Sequence, residues 1–314
     1  MAVAVDIVTV NWNAGPLLAE CVASVRAVEP DIVARYIVVD NGSRDGSADF
    51  DCDWDKLFVD RTGENLGFGR GCNRGARQGS APYILLLNPD TRLTEPAIGK
   101  AVAFLEAPEN AGYGICGIKL LDEQGRVTRH CARFPTLGTF ASIMTGLDRL
   151  FPGRAPGLLM AEFDHRSSRP VDHVQGAFYL IRRELFEALG GFDDDYFVYL
   201  EDLDLSLRAR RRGALCYYLA EAEAFHRGGG TTDQAKATAR FYGIEARFIY
   251  VRKHFGPLAR AIHAVLSYLV EPPATIAWSL IRHRGRTLGQ VLRGFGLLVR
   301  NTPRLLRGRA TGPL

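Results

Sequence analysis

The chain has 314 residues, 47% of them hydrophobic and 24% charged, so it can bury a sizeable core, and disorder over most of its length is excluded. Its net charge of +4 hides an asymmetry: 27 Lys and Arg stand against 34 Asp and Glu up to Glu245, and 12 against a single Glu from Ala246 on. A mildly acidic body with a strongly basic tail calls for a separate account of the tail.

In chain order, Val3 to Val10 is apolar and β-branched, broken only by Asp6, and reads as a first buried strand rather than a signal peptide. After Asn11-Trp12-Asn13 comes a helical stripe of Leu18, Cys21, Val22 and Val25. Tyr36 to Asp40 forms a second strand, running into the turn-rich stretch Asn41 to Ser47. Leu57 to Val59 is a third. Gly71 to Arg77 is a helix behind a glycine-rich loop, Tyr83 to Leu87 is the most apolar strand, and Pro96 to Leu105 is a helix. Tyr113 to Leu120 reads as a further strand, and residues 130 to 170 as loops or an insertion of short helices. Ala177 to Ile181 is a strand and Arg183 to Leu189 a helix. Phe192 to Arg212 begins acidic and ends basic, as suits a helix dipole, and Gly213 stops it.

Strands alternating with helices imply a mostly parallel sheet covered on both faces, whose ligands bind at the carboxyl ends of the strands. Three such ends are polar here: Asn11/Asn13, Asp40/Asn41/Ser43 and Asn88/Asp90. Asp40 can accept hydrogen bonds from a base or ribose, although Asn41 to Gly46 serves equally as a plain turn. Asp90 can hold a divalent ion on a diphosphate or merely cap a turn. Asp202, after Glu201 at a helix start, can take a proton from a hydroxyl or simply cap that helix. His226 can ligate the same ion or be structural. The glycines around Asn73 let a phosphate or sugar approach the backbone. GxGxxG and the P-loop lysine are both absent, which disfavours a dehydrogenase or a P-loop kinase. The six cysteines show no CxxC or zinc spacing and read as reduced, packed thiols of the cytosol.

The tail, from about Thr231, reads as helical over residues 235 to 254. Residues 261 to 281 are then mostly apolar, interrupted by His263, Glu271, Pro272 and Pro273 and flanked by arginines. Two short amphipathic helices on an anionic membrane surface fit this pattern; packing on the body, an oligomer contact and a membrane span are the alternatives. Nothing in the tail has a nucleic-acid-binding pattern.

Taken in order, Ile7 to Asn13, Val38-Val39-Asp40-Asn41-Gly42-Ser43, Glu64-Asn65-Leu66-Gly67 with Asn73, Leu87-Asn88-Pro89-Asp90, Gly176-Ala177 and Leu200-Glu201-Asp202-Leu203-Asp204 resemble the family 2 glycosyltransferases, especially their rhamnosyltransferase-like branch. The resemblance covers roughly residues 3 to 255. It implies an α/β GT-A (nucleotide-diphospho-sugar transferase) fold over residues 1–230, followed by a basic helical extension over 231–314.

By position, the resemblance puts Asn11, Asn13, Asp40 and Ser43 around the nucleoside, with Asn73 and Asn88 on the donor diphosphate or sugar side. Gly176 and Ala177 line the donor–acceptor junction. Asp90, with His226, holds Mg²⁺ or Mn²⁺. Asp202 is the base, assisted or oriented by Glu201. The family's DxD is here Asn88-Pro89-Asp90, with a single carboxylate. The implied reaction is inverting transfer of a sugar, rhamnose as first choice, from a dTDP- or UDP-sugar to a glycan or lipid-linked acceptor of the cell envelope, by a cytoplasmic protein peripheral to the inner membrane face. A nucleotidyltransferase and a non-catalytic homologue tethered to the membrane are the competing readings.

Overall fold

The computed structural model describes residues 4–228, 236–306 and 312–313. The first part is βα-alternating. Its elements are β1 (Val5–Asn11), α1 (Leu17–Val28), β2 (Val33–Asp40), β3 (Leu57–Arg61), α2 (Phe68–Ala76), β4 (Tyr83–Leu87), β5 (Thr91–Leu93), α3 (Ala97–Glu106) and β6 (Tyr113–Leu121). An insertion follows: β7 (Cys131–Ala132), α4 (Leu137–Thr145), α5 (Leu147–Leu150), β8 (Arg169–Val171) and β9 (His173–Val174). Then come β10 (Phe178–Arg182), α6 (Arg183–Ala188), α7 (Glu201–Arg211) and β11 (Leu215–His226). The extension holds α8 (Lys236–His254), α9 (Pro257–Val265), a π-turn over Leu266–Val270, α10 (Glu271–His283) and α11 (Leu288–Leu306).

The main sheet runs β3-β2-β1-β4-β10-β6-β11-β5, with β8 also on β11. It is parallel from β3 to β4 and between its two longest strands, β6 and β11, while β10 runs antiparallel to both neighbours. Every residue of β1 is buried, as a strand covered on both faces requires. Alternate residues go to opposite faces: Val5 and Ile7 pack with α1 and α3, Val8 and Val10 with α2 and α7. Asp6, also buried, accepts from the Ala81 amide and pairs with Arg183 at 2.7 Å.

The glycines of α2 serve packing. A Cβ at Gly75 would run into the Val8 side chain, so the helix lies directly on β1. Gly67, with φ of 87°, lies against the Phe197 carbonyl, which accepts from the Phe68 amide at 3.0 Å.

Two expectations shift. Residues 192–200 form a loop, and the helix begins only at Glu201. Asp193 to Asp195 are ion-pair partners of α8 instead of its first turn: Lys253 reaches Asp193 at 2.6 Å and Asp195 at 2.7 Å, and Arg252 reaches Asp195 at 3.0 Å. The two short tail helices are one nearly continuous helical run through the π-turn. Pro272 and Pro273 fall in the first turn of α10, where missing amides cost little. Its stretch Pro257–Arg282 is 26 residues long and holds an 18-residue window of mean hydropathy 1.3, enough by length and composition to cross a membrane. Glu271, at the centre of that apolar run, is buried against Arg247 at 2.6 Å. The boundary expected at residues 230 and 231 lies outside the described residues. All six cysteines are free, five of them buried.

Candidate active site

The tips of β1 and β2 are tied into one knot. The Asn11 amide donates to Asp40 Oδ1 at 2.9 Å, Ser43 Oγ at 3.0 Å and Ser47 Oγ at 2.9 Å. Ser43 Oγ accepts from the Asn13 amide at 2.9 Å, and Asn13 Oδ1 from the Arg44 amide at 2.8 Å. Asn13 sits at φ 53°, a left-handed conformation that Asn tolerates. Asn11 and Asp40 are buried, whereas Asn13 and Ser43 keep some exposure. The inner pair therefore fixes the loops, and the outer pair meets solvent.

Asn73 departs from its expected place on the donor. Its Nδ2 donates to the Phe192 carbonyl at 2.9 Å and to Asp194 Oδ1 at 3.2 Å, and its Oδ1 accepts from the Phe192 amide at 2.8 Å. It is buried and fastens α2 to the loop that leads to Glu201.

At the next strand end, Asp90 Oδ1 lies 3.3 Å from His226 Nε2, with 11% and 12% of the two side chains exposed. The Asp90 carbonyl also accepts from the Arg227 amide at 3.1 Å, so the β4–β5 turn and the end of β11 are locked together. Burial pushes the Asp90 carboxyl up. The hydrogen bond and charge of His226, with backbone amides of Asp90 and Gly228, outweigh it and hold the group below the usual carboxylate range.

Asp202 is the second residue of α7, whose first, Glu201, follows Tyr199 and Leu200, with φ of 72° and 63°. Two consecutive non-glycine residues in the left-handed region are strained, and such strain concentrates at functional sites. It presents Asp202 rigidly: Oδ2 accepts from the Gly176 amide at 2.9 Å and Oδ1 from the Leu203 amide at 2.8 Å. His173 Nε2 stands 3.6 Å from Oδ2, and 16% of the Asp202 side chain remains exposed. Burial raises its pKa; the charge and hydrogen bond of His173 and the two amides bring it below the ordinary value. Glu201 goes the other way. It is buried, its Oε2 has no hydrogen-bond partner, and burial followed by the Asp202 charge pushes its pKa well above the ordinary range. Burial and mutual repulsion thus drive the two adjacent carboxyls apart, Glu201 upward, while His173 and the two amides bring Asp202 downward.

The two centres share a seam. The Ala177 carbonyl accepts from the Asn88 amide at 3.1 Å and from Thr91 Oγ1 at 3.2 Å, while the neighbouring Gly176 amide holds Asp202. The turn that carries Asp90, through Asn88 and Thr91, and Asp202 itself are thus fastened to one two-residue segment. A Cβ at Gly176 would sit 3.3 Å from Asp202 Oδ2, crowding that carboxylate. A cavity of about 510 Å³ beside α1, lined by Ala23, Arg26, Phe50 and Cys52 among others, holds none of these residues. His173 carried no sequence signal, because its contact with α7 exists only in the fold.

The chain matches the family model described as glycosyl transferase family 2 over residues 6–190. It is a family 2 glycosyltransferase. The glycosyltransferase is 29% identical over 269 residues to an N-acetylglucosaminyl-diphospho-decaprenol L-rhamnosyltransferase of Mycobacterium tuberculosis, covering 80% of this chain and 85% of that one. It is 30% identical over 146 residues to the rhamnosyltransferase WbbL of Escherichia coli, covering 46% of this chain and 52% of that one. Among solved structures, it resembles the mannosyltransferase PcManGT of Pyrobaculum calidifontis, in complex with GDP-Man and Mn²⁺, with a TM-score of 0.53, 17% identity and coverage of 96% and 80%. That likeness concerns the fold, GT-A, as expected.

Among the described residues no group of three or more His, Cys, Asp or Glu is gathered to hold a metal. The donor set is the Asp90–His226 pair. It fits an ion that takes one or two protein ligands and its remaining oxygens from phosphate and water.

Proposed function

We propose that this glycosyltransferase moves rhamnose from a nucleoside diphosphate donor to a lipid-linked glycan acceptor in cell-envelope synthesis, with inversion at the anomeric carbon. The observation that carries this reading is the fastening of Asp202, and of the Asn88–Thr91 turn that holds Asp90, to the adjoining residues Gly176 and Ala177. The rhamnosyltransferase names of two relatives support the choice of sugar, and the diphospho-decaprenol in one of them supports the acceptor class.

The ionised Asp202, oriented by two backbone amides, takes the proton of an acceptor hydroxyl. The freed oxygen forms the new bond at the anomeric carbon from the face opposite the nucleotide. The bond to the diphosphate breaks, and nucleoside diphosphate leaves. Asp90 and His226 would hold Mg²⁺ or Mn²⁺, which when bound neutralises charge on the diphosphate. Asn13 and Ser43, the exposed members of the strand-tip knot, would contact the nucleoside; Asn11 and Asp40 would hold them in place. Glu201, protonated, orients its neighbour.

Leu258, Ile262, Val265 and Leu269 form an exposed apolar stripe on the run from α9 through the π-turn, on the same face at helical spacing. With the arginines of the tail it suits a peripheral seat on the cytoplasmic side of an anionic membrane.

The deciding experiment incubates purified protein with dTDP-rhamnose and a lipid-linked acceptor. Free nucleoside diphosphate and a glycosylated lipid are expected from the wild type and neither from Asp202→Asn. Release of pyrophosphate would point to a nucleotidyltransferase, and full activity of Asp202→Asn would remove the base.

A further inference from the structure

A second polar cavity lies far along the chain from the strand tips. It has a volume of about 290 Å³, and Arg149 of α5, Arg240, Gly243 and Arg247 of α8, and Glu271 and Thr275 of α10 are among its walls. Arg240, Gly243 and Arg247 follow one another at helical spacing and so share a face of α8.

Its charges do not balance. Three guanidinium groups face a single carboxylate, and that carboxylate is already engaged by Arg247 Nη2 at 2.6 Å. Arg247 Nε is buried with no hydrogen-bond partner. Arg240, half-buried, has no ion-pair partner among the described residues, and burial with the charges of Arg149 and Arg247 lowers its pKa against the opposing charge of Glu271. Cations crowded together beyond the one carboxylate available repel one another, so a cluster of this kind is poised for an anion. There is room for one, since a Cβ at Gly243 would meet nothing within 4 Å.

The border beside α5 is apolar: Leu147, Leu150 and Phe151 are exposed there. Trp278, on the same face of α10 as Glu271 and Thr275, joins that border, with the Arg149 guanidinium 5.9 Å and the Arg282 guanidinium 5.3 Å from its ring. A basic pocket with apolar borders matches a molecule with a phosphate head and a hydrocarbon tail. On its other flank α8 packs Tyr242 on Phe197 at 4.7 Å, five residues before Asp202.

We infer that this cavity binds the phosphate head of a membrane lipid, its hydrocarbon chain lying along Leu150, Phe151 and Trp278. The inference deepens the lipid-linked acceptor reading and rests on it for which lipid is meant: a prenyl diphosphate and a phospholipid share the head chemistry.

The test uses the full chain and four ligands: farnesyl diphosphate, inorganic pyrophosphate, farnesol, and phosphatidylcholine vesicles with or without phosphatidic acid. Arg240→Gln and Arg149→Gln are each expected to weaken head-group binding roughly tenfold or more, the worth of one charge-assisted hydrogen bond. Arg293→Gln, on α11, should not. Binding of nucleoside diphosphate with Mn²⁺ should be unchanged in all three. Loss confined to farnesyl diphosphate assigns the cavity to the acceptor; loss confined to phosphatidic acid vesicles assigns it to a phospholipid. Unchanged binding of both lipids in Arg240→Gln and Arg149→Gln overturns the inference, and so does pyrophosphate binding as tightly as farnesyl diphosphate. If the wild type bound no nucleotide, the proposed function would fail while the lipid result stood.

Discussion

His173 Nε2 lies 3.6 Å from Asp202 Oδ2, while His173 Nδ1 is hydrogen-bonded at 2.9 Å to the Ser206 hydroxyl, which also meets Tyr179 Oη at 2.9 Å. The proposed base is therefore backed by a buried polar chain spanning β9, β10 and α7. His173 lowers the Asp202 pKa against the opposing effect of burial. Replacing His173 with Phe should move the acid limb of the kcat–pH profile to higher pH and lower kcat while leaving KM for the donor nearly unchanged. A profile identical to that of the wild type would exclude His173 from tuning the base.

Asp202→Asn should reduce kcat by about 10² to 10⁴-fold, the usual worth of a positioned general base. Donor binding, followed by thermal stabilisation, should survive, because the single Asn oxygen can still accept from one of the two amides, of Gly176 or of Leu203, that hold this side chain. Loss of donor binding would mean that the carboxylate serves the donor instead.

Glu201→Gln keeps the shape and removes a charge that the fold disfavours. For an acid whose native pKa is raised, the folded state holds the proton longer, so stability declines as pH rises above the ordinary value of 4.5. The variant should thus gain melting temperature relative to the wild type as pH rises, and a parallel pair of curves would contradict the assignment.

Asp90 and His226 can be tested without turnover. In Asp90→Asn and His226→Ala, the part of nucleoside diphosphate stabilisation that requires Mn²⁺ should vanish, while the part seen in the presence of a chelator persists. Mn²⁺ dependence at wild-type strength in both variants would place the ion elsewhere.

His263 concerns the extension. It is buried between Phe140 and Phe248, neither ring nitrogen has a partner, and burial lowers its pKa from 6.5 to about 3. A base with a depressed native pKa contributes stability above its unfolded value and loses it as pH falls, here across the window from 6.5 to about 3. His263→Leu should flatten the acid side of the stability curve by a few kcal/mol, measured by denaturant melts at pH 7 and pH 4.

The parts legible in the sequence are those decided by local pattern. Tyr83 to Leu87 could be read as a buried strand because nothing in it is polar, and the start and stop of α7 lie close to Asp202 and Gly213. β11 escaped because its register shifts between Leu219 and Glu223 and its apolar residues do not alternate cleanly. At the site, Asp90, Asp202 and His226 each sit at an element end whose geometry is local, so sequence position alone says where they stand in the fold. For Asn73 it does not: its partners are 119 to 121 residues away, and no spacing rule reports their arrival. His173 was invisible for the same reason.

The basic end of α8 has a practical consequence. Asp193 and Asp195 are matched by Arg252 and Lys253, and Asp204 is met by His254 at 2.7 Å. Tyr250 and Ile249 share a core with Tyr196 and Leu203 on the catalytic side. Recombinant dissection at the last strand would leave Asp193 and Asp195 without their cations, Asp204 with Arg208 alone, and an aromatic seat open to water. A fragment ending at residue 235 should accordingly be insoluble, whereas one ending just past Phe255 should keep its nucleotide affinity.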